Sequence, residues 1–282
     1  MAKKSSFNNY VSDYFDRNSS GRADLVAGDS FNSLGFKQKK TDVLELVEHH
    51  ALRLKSDTDS LKICDVGCND GAFIEYLLGI QAEIDLYGVD VSRKALAKAK
   101  ANSNLDKVSF DLVDGESGDL PFADETFDII TSIEVIEHVE DKDKMLSEIY
   151  RILKPGGVVV LTTPNKESVA LNLQVFLVGF IRYCFGKKGH KDIFIDEKGF
   201  EELYKKVGFL CEKKDILYWI RPYLTISYST YTLGLLLPFM LPVPSIFLLY
   251  YQRMLNKYFG RFFKTRLITR FFCWSIFVVL RK

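Results

Sequence analysis

Between residues 61 and 163 the chain alternates short β-branched runs with stretches of helical spacing, and no other feature limits its fold so tightly. The strand-like runs fall at 61–66, 86–91, 108–113, 127–133 and 158–163, with helical stretches at 72–80, 92–102 and 141–153 between them. Strands joined through helices pair in parallel, and right-handed crossovers cover both faces of the sheet. The pattern therefore predicts an α/β, doubly wound, mostly parallel sheet whose strand C-termini share one edge, where such folds bind ligands. Upstream, Val43, Leu46, Val47, His50 and Leu54 are spaced as one face of a helix over 38–54. Residues 1–37 are polar and read as an irregular lead-in. Downstream, Glu197, Phe200, Leu203, Tyr204 and Val207 mark a helix that stops at Gly208, ahead of a strand at 209–219.

The loop after the first strand, Asp65-Val66-Gly67-Cys68-Asn69-Asp70-Gly71, has glycines where a backbone must pass close to a ligand, at the start of a helix. Asp90 closes the second strand, a position where a carboxylate accepts hydrogen bonds from a ribose diol. The loop is not G-x-G-x-x-G. It reads G-x-N-x-G behind an acid, and an acid facing the ligand repels a pyrophosphate but binds an ammonium, as on the aminocarboxypropyl end of S-adenosylmethionine.

Further elements follow in order: Val113-Asp114-Gly115 ahead of Leu120-Pro121-Phe122, Phe127-Asp128, Glu134-Val135-Ile136-Glu137-His138-Val139, and Leu153-Lys154-Pro155-Gly156-Gly157. As a set, over roughly residues 40–220, they resemble class I S-adenosylmethionine-dependent methyltransferases, closest to the small-molecule branch that includes the ubiquinone-biosynthesis O-methyltransferases. The resemblance implies a Rossmann-like sheet of seven strands with an antiparallel last strand. It gives Asp65, Gly67 and Gly71 to the methionine moiety, Asp90 to the ribose hydroxyls, Asp114 to the adenine amine and Ser132 to the methyl-transfer site. Cys68, Asn69, Val91 and Gly115 are expected as further cofactor-binding residues. Asn69 stands where the family more often has glycine, and asparagine tolerates a left-handed backbone. Lys154-Pro155-Gly156-Gly157 is expected as a turn before the fifth strand.

Methyl transfer from a sulfonium requires alignment and removal of the acceptor's proton. Glu134, Glu137 and His138 are the candidate catalytic residues, placed at the end of the fourth strand. A similar E-x-x-E-H holds a divalent cation in the ubiquinone O-methyltransferases and in small-RNA 2′-O-methyltransferases, with a further histidine after strand five. By that resemblance Glu134, Glu137, His138 and His190 would ligate Mg, Mn or Zn. Relatives without metal carry the same segment, its acids capping the helix and its histidine acting as base or orienter. His49 and His50 are expected to be structural.

Composition separates the two ends of the chain. Its 47% hydrophobic and 27% charged residues exclude a disordered chain. Asp215 is the last acidic residue, and nine Lys/Arg follow it, leaving 29 basic against 37 acidic residues in 1–215, a net charge of −8. Residues 222–252 form a 31-residue run with no charge, longer than the roughly 20 residues that span a bilayer. Pro238, Pro242 and Pro244 interrupt it, so a single straight span is not expected. Arg253, Lys257, Arg261, Lys264 and Arg266 follow, as interfacial anchoring requires. An acidic body with a basic apolar tail points to an anionic membrane surface rather than nucleic acid. The family's closing antiparallel strand is matched by the apolar end of the chain, making 222–268 an insertion, and 38–221 with 269–282 the methyltransferase domain. A second apolar stretch, 169–185, is placed where this fold builds its substrate cover.

The five cysteines form no C-x-x-C pair, which excludes a zinc cluster or disulfide scaffold and fits a reducing compartment; no signal peptide is expected. The reading is thus of an enzyme on the cytoplasmic face of a membrane, methylating a lipidic or polyprenyl-linked acceptor, most readily at a hydroxyl. Its rivals are a methyltransferase for a soluble sugar or other small metabolite, and a non-catalytic cofactor-binding membrane adaptor.

Overall fold

The computed structural model describes residues 31–54, 60–114, 118–167, 172, 194–218 and 273–282. Helix α1 (Phe31–Leu54) leads into β1 (Leu61–Val66), α2 (Ile74–Leu77), β2 (Ile84–Asp90), α3 (Arg93–Ala101), β3 (Ser109–Leu112) and β4 (Phe127–Ile133). Then come α4 (Lys142–Ile152), β5 (Leu153–Pro164), α5 (Glu197–Val207), β6 (Leu210–Tyr218) and β7 (Cys273–Arg281). The strands form one seven-stranded sheet in the order β3-β2-β1-β4-β5-β7-β6. β7 runs antiparallel to both its neighbours, and the β1–β5 ladders are parallel.

The apolar strands explain this layering. Every residue of β4 before Ile133 is buried, as expected of a central strand covered on both faces. One apolar layer joins Ile130, Val159, Leu161 and Val278 to Leu146, Ile149, Phe200 and Tyr204. The other joins Ile63, Ile129, Val160 and Phe277 to Val43, Val47, Ile74 and Leu96. Local signals end the helices: Ser92 Oγ accepts from Ala95 N–H at 3.1 Å to cap α3, Asp141 accepts from Lys144 N–H at 3.0 Å to cap α4, and Gly208 closes α5 at φ 108°.

Three boundaries differ from the sequence reading. Helix α1 starts at Phe31, inside the predicted lead-in. The helix expected over 72–80 shrinks to four residues, because Gly79 and Ile80 turn back with bonds to Tyr76 and Leu77 at i→i+3 spacing. The Lys154–Gly157 segment is part of β5, where it interrupts the register between the Phe127–Leu153 and Ile129–Val158 pairs. Gly156 takes φ 78° there, and its N–H donates to the Lys282 carbonyl at 3.1 Å, so the chain's last residue is stitched to the bulge. The insertion at 222–268, the stretch 169–185 apart from Asn172, His190 and Gly115 lie outside the described residues. Among the described residues, no helix is long and apolar enough to cross a membrane.

Candidate active site

The parallel strands bring the predicted residues that are described to one edge. Gly67, Asn69 and Gly71 all take left-handed backbone, at φ 82°, 52° and 78°. The Gly67 and Cys68 N–H groups donate to the Val89 carbonyl at 2.8 and 3.0 Å, fixing the loop across the end of β2. A Cβ on Gly67 would lie 2.3 Å from Val135 Cγ2, so the glycine admits the loop that follows β4. Asn69 N–H and Ser92 N–H each donate to the Asp90 carboxylate at 2.8 Å. Asp90 thereby ties the glycine loop to the start of α3, with Val91 half-buried beside it. Val113 N–H reaches the Asp90 carbonyl at 3.0 Å, and Asp114 is exposed next to it.

Asp65 is the electrostatic anomaly. It is buried, and Thr131 Oγ1 donates to its Oδ1 at 2.7 Å. Burial pushes its pKa up to about 7, against the Thr131 hydrogen bond and the charge of Lys40, while Asp90 pushes it further up. A carboxylate so poorly solvated suits a cationic ligand. Among the described residues, Ser132 Oγ is buried with no hydrogen-bond partner. A polar atom of this kind at a strand's C-terminal end fits a ligand that completes it. These features fit the methionine and ribose ends of S-adenosylmethionine.

Beyond β4, Glu134 takes left-handed backbone at φ 55°. Its N–H donates to the Thr162 carbonyl and Oγ1 at 3.0 and 3.1 Å. Glu137 is buried, accepts from Thr163 Oγ1 at 3.3 Å and stands 4.0 Å from His138 Nε2. Of the predicted metal set, the described members Glu134, Glu137 and His138 do not form a cluster: the Glu134 carboxylate lies 3.0 Å from Lys39 Nζ, and no three metal-ligating side chains converge among the described residues. With a lysine ammonium already on Glu134, these described donors do not fit a divalent cation.

Two residues of the site were not picked out in the sequence. Lys39 and Lys40 are both buried on α1. The Lys40 ammonium stands 5.4 Å from the Tyr76 ring centroid, and burial lowers its pKa against the pull of Asp70, Asp65 and Glu75. A signal was present, since Lys40, Val43 and Val47 continue one stripe at i, i+3, i+7 spacing. His50 is buried on α1 and lies 3.7 Å from Glu212, which also pairs with Arg281 of β7.

A family model described as a methyltransferase domain matches residues 64–161, the span from β1 to β5 that holds this edge. Residues 64–161 are thus similar to a methyltransferase domain, and the chain resembles class I S-adenosylmethionine-dependent methyltransferases. A ubiquinone biosynthesis O-methyltransferase of Mesorhizobium japonicum is 33% identical to this domain over 117 residues, 42% of this chain and 46% of that protein. A norajmaline N-methyltransferase of Rauvolfia serpentina is 37% identical over 115 residues, 37% of this chain and 39% of that protein. The chain thus matches about half, or less, of the length of these curated relatives. The methyltransferase fold extends further. The magnesium protoporphyrin IX methyltransferase of Synechocystis PCC 6803 superposes with TM-score 0.60 at 15% identity, over 97% of this chain and 99% of that one.

Proposed function

We propose that the chain is a membrane-associated methyltransferase that uses S-adenosylmethionine to methylate a hydroxyl of a lipidic or polyprenyl-linked acceptor. The observation that carries the cofactor assignment is the Asp65–Asp90 cradle, a buried undercompensated carboxylate beside one anchored by two backbone N–H groups. The cofactor supplies an electrophilic methyl group on a sulfonium. The chain's own task is to align the acceptor and take its proton. His138, half-buried at the mouth, is the residue to accept that proton, with the Glu137 carboxylate 4.0 Å behind it to stabilise the imidazolium. Glu134 shapes the same wall. No metal is invoked, because Lys39 already neutralises Glu134.

The choice of a hydroxyl acceptor is supported by the O-methyltransferases among the relatives. The membrane and lipid assignments rest on the uncharged run 222–252 and the basic residues that follow it. Because β6 and β7 pair antiparallel, the chain between them leaves and re-enters at the same sheet edge. A hairpin or monotopic cap facing the cytoplasmic side is the arrangement we propose for 222–268. Replacing residues 223–266 by a short Gly/Ser bridge tests it. The shortened protein is expected to move to the soluble fraction, retain cofactor binding and lose methylation of membrane-extracted lipid. Retained membrane binding would refute the anchoring role, and retained lipid methylation would refute a part for this segment in reaching the lipid acceptor.

A further inference from the structure

The acidic motif after β4 draws its counter-charge from the distant helix α1. Lys39 Nζ lies 3.0 Å from Glu134 Oε1 and donates to Ser275 Oγ of β7 at 2.8 Å. All three groups are shielded from water: the Lys39 and Glu134 side chains are 8% and 15% exposed, and Ser275 is fully buried. From the other side, Thr162 Oγ1 donates to the same Glu134 oxygen at 3.2 Å. Glu134 carries left-handed backbone, which in a non-glycine residue persists only where its surroundings over-determine it. The ion pair and the Thr162 bonds do so here, linking α1, the motif loop, β5 and β7.

A divalent cation on this oxygen would sit against the Lys39 ammonium, and poor solvation strengthens that repulsion. We infer that Lys39 is the resident cation of the E-x-x-E-H motif: a positioning residue that fixes the Glu134 carboxylate at the acceptor-facing edge and takes the electrostatic place a metal would fill. Glu137 and His138 are then left to handle the proton without a Lewis acid. The inference rests on the proposal that the acceptor meets this edge.

Two measurements on the full chain test it. In the first, Mg²⁺, Mn²⁺ and Zn²⁺ are each titrated calorimetrically into the wild type and into Lys39→Met. The wild type is expected to show no saturable binding that Glu134→Gln removes, whereas Lys39→Met should acquire Mn²⁺ binding that the double variant with Glu134→Gln loses. In the second, methyl label from S-adenosylmethionine is followed into membrane-extracted lipid. Lys39→Met should lower kcat about tenfold or more, as expected for loss of a charge-assisted contact, while S-adenosylhomocysteine affinity changes by less than about twofold, since the proposed cofactor contacts are Asp65 and Asp90 and not Glu134. Lys39→Arg should restore most of the rate. A merely structural lysine would lower Tm without splitting kcat from cofactor affinity, and that result overturns the inference. So does wild-type cation binding that depends on Glu134, or activity that chelator abolishes. If Lys39→Met does not fold, Ser275→Ala keeps the charge and loosens its hold, and an unchanged kcat there counts against the inference. If the wild type takes up no label, the acceptor reading fails, while the cation titration still decides the role of Lys39.

Discussion

The two halves of the strand edge carry similar acids in opposite electrostatic states. On the glycine-loop side, Asp65 is desolvated until its pKa reaches about 7, and Asp90 is held by backbone N–H groups of its neighbouring loops. On the far side, Glu134 is matched by Lys39 and Thr162, and Glu137 by Thr163 and His138. The contrast separates two uses of a carboxylate. An acid left short of positive charge is a receptor for a cationic ligand, whereas an acid already matched by the protein orients what lies next to it. The E-x-x-E-H pattern alone does not distinguish the two uses, because it does not contain the partner.

The halves are welded where Val135 packs over Gly67, and breaking that weld should have the largest effect. Gly67→Ala places a methyl 2.3 Å from Val135 Cγ2 at φ 82°, combining a clash with left-handed strain. Destabilisation of roughly 3–5 kcal/mol is expected, seen as a fall in Tm and loss of cofactor binding. Adding Val135→Ala should recover part of the loss. No recovery would mean that backbone strain alone dominates and the halves are not coupled there.

The charge contrast predicts a pH effect next in size. The folded-state pKa of Asp65 is raised from 3.8 to about 7, so the folded protein holds its proton more tightly than the unfolded chain does. Its contribution to stability is present below pH 3.8 and is lost as pH rises to about 7, a cost of up to roughly 4 kcal/mol. Asp65→Asn keeps a side-chain acceptor for Thr131 and removes that cost. The variant should melt higher than the wild type at pH 8 and equally at pH 4, yet bind cofactor poorly. Equal melting at both pH values would show that Asp65 is already neutralised in the free protein, and the contrast between the halves would collapse.

The receptor half was legible in the sequence because its determinants are local. Gly67, Asn69, Gly71 and Asp90 lie in two adjacent βα turns, and their residue types are dictated by backbone conformation and ligand approach. The mostly parallel sheet and its antiparallel closing strand were also legible, through apolar runs and the family resemblance, whereas the strand order came from the structure. The matched half was only partly so. Glu134, Glu137 and His138 stand where expected, but the partner that decides the role of Glu134 comes from α1. Its lysine, embedded in Lys37-Gln38-Lys39-Lys40, looks like solvated surface until the packing of α1 buries it. Helix α2 was overestimated for the converse reason, since its apolar residues suit a helix while Gly71 and Gly79 confine it.

The central claim is that this edge binds S-adenosylmethionine through the Asp65–Asp90 cradle, and calorimetry with S-adenosylhomocysteine on the wild type and Asp90→Ala tests it most directly. Hydrogen bonds to a charged group contribute about 1.5–3 kcal/mol, so affinity should fall roughly 10- to 150-fold in a variant that remains folded by circular dichroism. Unchanged affinity in folded Asp90→Ala, or no binding by the wild type, would contradict the assignment.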